Sequence, residues 1–188
     1  MTSDLINKLI LEHKNPDKIA ERISIFETVR DFEYQINWVS EPEKLLEIKE
    51  WYCTSKHRLL KEIYERLGYK AQLCFIPFSF NMIYLPDELK NRWYANKKWY
   101  HTFLQMLIDG KWIDIDATFN KELKNIYTVN ENRNWFSPQR IICKYDKVYI
   151  PKSVEEELEV KTILCDRNWL DEDDKNWIWK YNNRIKLF

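Results

Sequence analysis

Three side chains in this sequence have the types and spacing of a nucleophile, a base and an orienting acid: Cys53, His101 and Asp116. Cys53 stands where a helical stripe begins, in "WYCTSKHRLLKEIYERLG", with Leu59, Leu60, Ile63, Tyr64 and Leu67 at helical spacing and Gly68 placed to close the helix in a left-handed cap. A thiol at a helix N-terminus meets the positive end of the helix dipole, which with a nearby imidazolium favours the reactive thiolate. His101 and Asp116 belong to "HTFLQMLIDGKWIDIDATF", which reads as two strands joined by the two-residue turn Asp109-Gly110. That turn pairs Ile108 with Lys111, and the same register sets His101 opposite Thr118 and Phe103 opposite Asp116. Side chains alternate between faces, so His101 and Asp116 share one as diagonal neighbours, roughly 5 to 8 Å apart at Cβ. A carboxylate there fixes the imidazole tautomer and leaves the other ring nitrogen to take a proton. Asp114 shares the face two residues along and is the alternative acid.

The elements that position these groups follow from the same periodicities. A short helix spans Ser3, as cap, to Lys14. A second helix lies in "NPDKIAERISIFETVRDFEYQI", with Asn15 as cap, Pro16 at the first helical position and Ile19, Ile23, Phe26 and Val29 on one face. Ser40 and Glu43 around Pro42 fit a capping box opening a third helix toward Trp51. "YKAQLCFIPF" reads as a buried strand, and residues 77–100 as an aromatic covering loop with a short helix near Pro86. Further strands are expected at "RIICKYDKVYI", a helix capped by Ser153 and Glu156, and a tryptophan-rich tail that packs back onto the body. Helices first and strands after predict an α+β domain. A single domain over 1–188 is expected, its core about 17–150, with 151–188 a helical, aromatic extension.

The composition narrows the function classes. With 30 basic and 30 acidic residues the chain lacks the imbalance of a polyanion binder, so no nucleic-acid partner is expected. Two glycines exclude Gly-rich phosphate loops. Cys53, Cys74, Cys143 and Cys165 form no C-x-x-C pair, which argues against a zinc knuckle, a redox dithiol or a disulfide framework. No metal or other cofactor is expected, and no spacing demands calcium. The N-terminus mixes charges into its apolar residues, and no membrane span is visible; the expected setting is cytoplasmic.

Taken together, these motifs resemble the transglutaminase-like superfamily of papain-like cysteine enzymes. In that family a cysteine starts a helix, as in "CTSKHRLLKEIYERLGYKAQ" with Lys56 three positions on; a histidine opens a strand and an aspartate closes the next, as in "HTFLQMLIDGKW" and "IDIDAT". "IFETVRDFEYQI" is similar to the family's helix before the cysteine, so the resemblance covers about residues 17–120. The chain departs from the pattern in having Trp51 where a glycine is usual, Thr102 and Phe103 after the histidine, and Ala117 where proline is usual. The paired C-x-x-C motifs of the peptide N-glycanase branch are absent. The resemblance implies N-terminal helices packed on an antiparallel sheet, and attack by a Cys53 thiolate on an amide or ester carbonyl of a peptide or protein. His101 protonates the leaving group, Asp116 orients His101, and a thioester passes to water or an amine. It implies an oxyanion held by the Cys53 backbone N–H, with Trp38 as a possible side-chain donor.

Other residues carry weaker expectations. His57 lies one turn after Cys53, in a supporting or solvent-facing role, and Thr118 adjoins Asp116. Trp51, Trp93 and Trp99 are candidates for the substrate cleft, the last two within "KNRWYANKKWY", read as a cleft wall or lid. The remaining cysteines read as structural, His13 as a surface residue and Asp171 to Asp174 as a solvated stretch. The rival functions are a non-catalytic module binding a peptide or partner in the same cleft, and a nucleic-acid binder using the basic aromatic run.

Overall fold

The apolar stripe after Cys53 forms the helix around which the molecule is built. The structure, a computed structural model, describes residues 2–37, 46–47, 50–90, 93–131, 142–165 and 172–187. Helices α1 (Thr2–Glu12) and α2 (Lys18–Arg30) lead to the two-residue strands β1 (Glu33–Tyr34) and β2 (Glu50–Trp51), which pair in parallel. Then come α3 (Cys53–Arg66), β3 (Ala71–Phe78), a 3₁₀ turn (Phe80–Met82), the one-turn helices α4 (Asp87–Lys90) and α5 (Trp93–Asn96), and the hairpin β4 (Trp99–Ile108) and β5 (Lys111–Ile115). A 3₁₀ turn (Lys121–Asn125), α6 (Val154–Leu164) and α7 (Glu172–Ile185) follow. The fold is α+β, with the N-terminal helices on an antiparallel sheet ordered β3-β4-β5.

Both ends of α3 have a local cause. Ser55 Oγ accepts from the Tyr52 N–H at 3.0 Å and donates to the Tyr52 carbonyl at 2.8 Å, holding the residue before Cys53 extended. At the other end Gly68 adopts φ +86°, and the Gly68 and Tyr69 N–H groups bond back to the Glu65 and Tyr64 carbonyls, a Schellman closure. Leu59, Leu60, Ile63 and Tyr64 bury against Leu73, Phe75, Leu104 and Met106 of the sheet and Ile25, Phe26 and Val29 of α2. Truncating one of these buried leucines to alanine costs about 2–5 kcal/mol.

The hairpin forms in the expected register. Asp109 and Gly110 both have positive φ, 49° and 77°, as a type I′ turn requires, and Ile108 pairs with Lys111 through to Leu104 with Ile115. Cys74, Ile76 and Phe103 cover the sheet face away from α3. A second, aromatic cluster gathers Tyr34, Phe78, Phe80, Tyr94, Phe119, Tyr127, Trp177 and Tyr181 beyond the end of the sheet. The tail packs back as expected, and α7 secures the segment after β1: the Asn182 side chain accepts from the Ile36 N–H at 3.1 Å and donates to its carbonyl at 3.0 Å.

Several local expectations are corrected. The cap of α2 is Asp17, whose carboxylate accepts from the Ile19 and Ala20 N–H groups, while Asn15 accepts from Asp17 and ends outside the helix. Helix α1 starts at Thr2, ahead of the expected cap Ser3. The Ser40–Glu43 capping box lies outside the described residues, and Trp51 belongs to a strand. Among the described residues of "RIICKYDKVYI" only Tyr149 pairs, exchanging two 2.9 Å bonds with Phe75, while Tyr145 and Val148 pack on Cys74, Ile76 and Phe103. Ser153 caps α6 by accepting from the Glu156 N–H. Asp174 is buried and paired with Lys97 at 2.5 Å, so the acidic run is not wholly solvated. No helix among the described residues is long and apolar enough to cross a membrane.

Candidate active site

Cys53 is the first residue of α3, where the backbone N–H has no partner within the helix. The thiol is partly buried and lies 3.9 Å from Thr54 Oγ1. Thr54 in turn shares a 2.8 Å hydroxyl bond with Thr102, the residue after His101, so the start of α3 is fastened to the start of β4. Burial alone would push the Cys53 thiol up, but a hydrogen bond and the charge of His101, with smaller help from the Thr102 backbone and Thr54, hold it below its ordinary value.

His101 and Asp116 meet as the register requires. His101 Nε2 donates to Asp116 Oδ2 at 3.0 Å, and the ring borders the same pocket as Cys53. The imidazole is almost completely shut from solvent, which disfavours its charge; the carboxylate and the thiol outweigh that and raise it to about 10. Asp116 is equally buried, yet it is lowered to about 2, because the His101 charge and hydrogen bonds overcome the cost of burial. The carboxylate is also held by the Thr118 N–H at 3.0 Å, the Thr118 hydroxyl at 2.5 Å and the Ile142 N–H at 3.3 Å. Asn130 donates to the Asp116 backbone carbonyl at 2.6 Å. Asp114 is engaged elsewhere, accepting from Gln105 at 2.8 Å and Tyr145 at 3.2 Å, so Asp116 is the acid at His101.

His57 is fully buried, which corrects a solvent-facing placement. Its Nε2 accepts from the Ala117 N–H at 2.9 Å, so the proton sits on Nδ1, which donates to the Cys53 carbonyl at 2.6 Å. This neutral ring therefore bridges the residue bearing the thiol to the residue after the acid. Burial holds it down to about 4 despite the nearby Asp116 charge. Lys56 is also buried, its amine donating to the Arg30 carbonyl at 2.6 Å and the Thr118 carbonyl at 3.0 Å; burial lowers it to about 7. A charged residue inside an apolar stripe was the sequence signal for such a role. The supports from Asn130 and Ile142 had no local signal, since both come from a distant segment.

The tryptophans divide. Trp99 lines a small pocket beside Cys53, together with Tyr34, Ile36, Tyr52, Phe78, Phe80, Ile83, Phe119 and Ile142. Trp51 does not: it is completely buried in the main core, stacked on Phe32 at 4.8 Å, because its strand turns that side chain toward the helices. Trp93 opens α5, and Trp38 lies outside the described residues. A larger concavity of about 730 Å³ between α4 and α7 includes none of Cys53, His101 and Asp116 among its lining residues. All four cysteines are free thiols; Cys74 is in the core as expected, and His13 is half-buried between Ser24 and Thr28.

No family model and no curated protein matches the sequence. Among solved structures the chain is similar to one described as a "TGase", with 16% identity, a TM-score of 0.44 and coverage of 68% of this chain and 33% of that one. It is also similar to a "Putative Cysteine Protease from Cytophaga hutchinsonii", with 14% identity, a TM-score of 0.46 and coverage of 80% and 50%. The chain thus spans a third to a half of the length of these two proteins.

Proposed function

We propose that this chain is a transglutaminase-like cysteine hydrolase or acyltransferase acting on an amide or ester carbonyl of a peptide or protein. The observation that supports it most is the convergence of three residues: the Asp116 carboxylate orients the His101 imidazole at 3.0 Å, and that imidazole borders the same pocket as the Cys53 thiol at the start of α3. The opposed shifts of the thiol and the imidazole favour a thiolate–imidazolium pair. In the proposed reaction the Cys53 thiolate adds to the carbonyl carbon, and His101 gives its proton to the departing amine or alcohol as the C–N or C–O bond breaks. Water or an amine then attacks the thioester, His101 takes the incoming proton, and the thiol is released. The Cys53 backbone N–H faces the developing oxyanion. Four free thiols suit a reducing, cytoplasmic setting.

Iodoacetamide labelling across pH 5–8, read by mass spectrometry, tests the nucleophile. Cys53 is expected to react faster than a model thiol, with the greatest advantage at the lower end of the range, because its thiol is held below its ordinary value. A rate no greater than the model thiol's, or a Cys53→Ala variant that keeps full activity against ester and amide substrates, overturns the reading in favour of a binding module.

A further inference from the structure

The pocket beside Cys53 has a composition and a size that bear on what the thiol acylates. Among the described residues its walls are Tyr34, Ile36, Phe78, Phe80, Ile83, Trp99, Phe119 and Ile142, and the polar groups at its mouth are those of the reaction centre itself: Cys53, Thr54, His101 and Thr118. No Lys, Arg, Asp or Glu is among these residues. Tyr34, Tyr52 and Tyr100, which also border it, have phenols pushed above their ordinary range by burial and by the nearby thiolate, so they bring no charge at neutral pH. An ammonium or carboxylate entering here would lose its water and gain no partner of opposite sign from these walls.

The volume is about 40 Å³. One water needs about 10–15 Å³ on such a measure, while a dry cavity of about 150 Å³ holds benzene. The space beside Cys53 therefore suits an aliphatic chain of a few carbons better than an aromatic ring. The walls resist enlargement: Phe119 stacks on Tyr127 at 4.1 Å between ring centres and meets Tyr34 edge-on at 4.9 Å, and Phe80 packs on Trp177 at 5.0 Å.

We propose that this pocket is an acyl-group subsite, which takes a short, uncharged aliphatic group of roughly one to three carbons borne by the carbonyl that Cys53 attacks. The assignment rests on Cys53 being the nucleophile and adds to it the class of acyl donor. The same chemistry is offered by the side chain of a small apolar residue before a scissile amide or by a free short-chain acyl ester. A charged donor such as a succinyl group, or a long chain, is a poor fit for different reasons: among the described residues one finds no counter-charge outside the reaction centre itself, and the other finds no room.

The test compares p-nitrophenyl acetate, butyrate, octanoate and succinate with peptidyl aminomethylcoumarins bearing Ala, Val, Phe or Lys before the scissile bond. Activity is followed as kcat/KM, and Cys53 acylation by intact mass. In the ester arm, acetate and butyrate are expected to exceed octanoate and succinate by about tenfold or more, the usual discrimination of a tight apolar pocket. In the peptide arm, Ala and Val are expected to exceed Phe and Lys by a similar factor. Activity in only one arm identifies the source of the acyl group. Ile83→Ala, at a half-buried wall position, is expected to move the ester optimum toward longer chains, and Ile83→Trp to suppress butyrate more than acetate. Cys53 acylation with a flat chain-length profile, or with succinate or Lys preferred, overturns the subsite and leaves the nucleophile standing. No acylation by any donor brings down both, and the wild-type profile decides the matter even if the Ile83 variants fold poorly.

Discussion

His57 and His101 lie 6.3 Å apart between ring centres, equally closed to solvent and both within reach of the Asp116 carboxylate, yet they titrate in opposite directions. The difference lies in what each ring is asked to donate and accept. His57 receives the Ala117 N–H on Nε2 and so has room for one proton only, on Nδ1. His101 faces acceptors on both sides, a carboxylate at 3.0 Å and a thiol that gains by becoming a thiolate, so two protons suit it. Burial by itself would have made both neutral; the backbone amide aimed at one ring and the carboxylate aimed at the other decide the outcome.

Breaking the charged half of the comparison has the largest expected effect. Asp116→Asn removes the charge that supports the His101 imidazolium and can present the wrong tautomer, so kcat/KM is expected to fall about 10³–10⁴-fold while the fold persists. The Cys53 alkylation profile should shift upward in pH at the same time. A loss of less than tenfold would mean that the acid does not govern the imidazole.

Breaking the neutral half should act on stability before activity. His57→Leu takes the acceptor from the buried Ala117 N–H and removes the side-chain donor to the Cys53 carbonyl, an expected cost of about 1–3 kcal/mol in urea unfolding. His57→Gln, which can supply both a donor and an acceptor, should recover part of it. If Leu is tolerated as well as Gln, the bridge is not holding the two segments together.

The two rings also predict opposite pH arms. His57 is lowered in the folded state to about 4 from 6.5, so its contribution is complete above about 6.5 and is lost as pH falls toward 4. His101 is raised to about 10, so its contribution is complete below about 6.5 and is lost as pH rises through 10. Asp116, lowered to about 2, contributes above its ordinary 3.8 and loses that as pH falls through 2. In urea midpoints, the gap between wild type and His57→Gln should narrow between pH 6.5 and 4.5. A constant gap would remove the titration of His57 from the account.

The smallest effect is expected from Thr118→Val, which deletes one of several donors to Asp116: about 0.5–1.5 kcal/mol of stability and less than tenfold in kcat/KM. A larger loss would place Thr118 at the substrate rather than behind the acid.

The His101 side of this comparison was more legible in the sequence than the His57 side. Asp109-Gly110 dictates a turn, the turn dictates a register, and the register carries His101 to Asp116. Cys53 was found because Gly68 and the leucine stripe bound its helix. The role of His57 depends on the amide of Ala117, sixty residues away, and helical periodicity says nothing about which buried ring nitrogen meets a donor. Trp51 was misplaced for a related reason: adjacency to the nucleophile suggested the cleft, while the parallel pairing of Glu50–Trp51 with Glu33–Tyr34, of only two residues each, gave no periodic signal. The cap of α2 shows local competition, where Asn15, Pro16 and Asp17 all suit a helix start and the carboxylate with two free N–H groups within reach prevails.

The clamp between Asn182 and Ile36 sets the order in which the molecule can become competent. Ile36 is a wall of the pocket beside Cys53, and its peptide groups are satisfied by a side-chain amide 146 residues later. Cys53, His101, Asp116 and the groups that hold Asp116 all precede α7 in the chain, but that wall lacks its partners until α7 has been synthesised and has docked. A ribosome-bound chain stalled before α7 would then carry Cys53 beside an unfinished pocket, and the shape of that pocket would be among the last properties that folding confers.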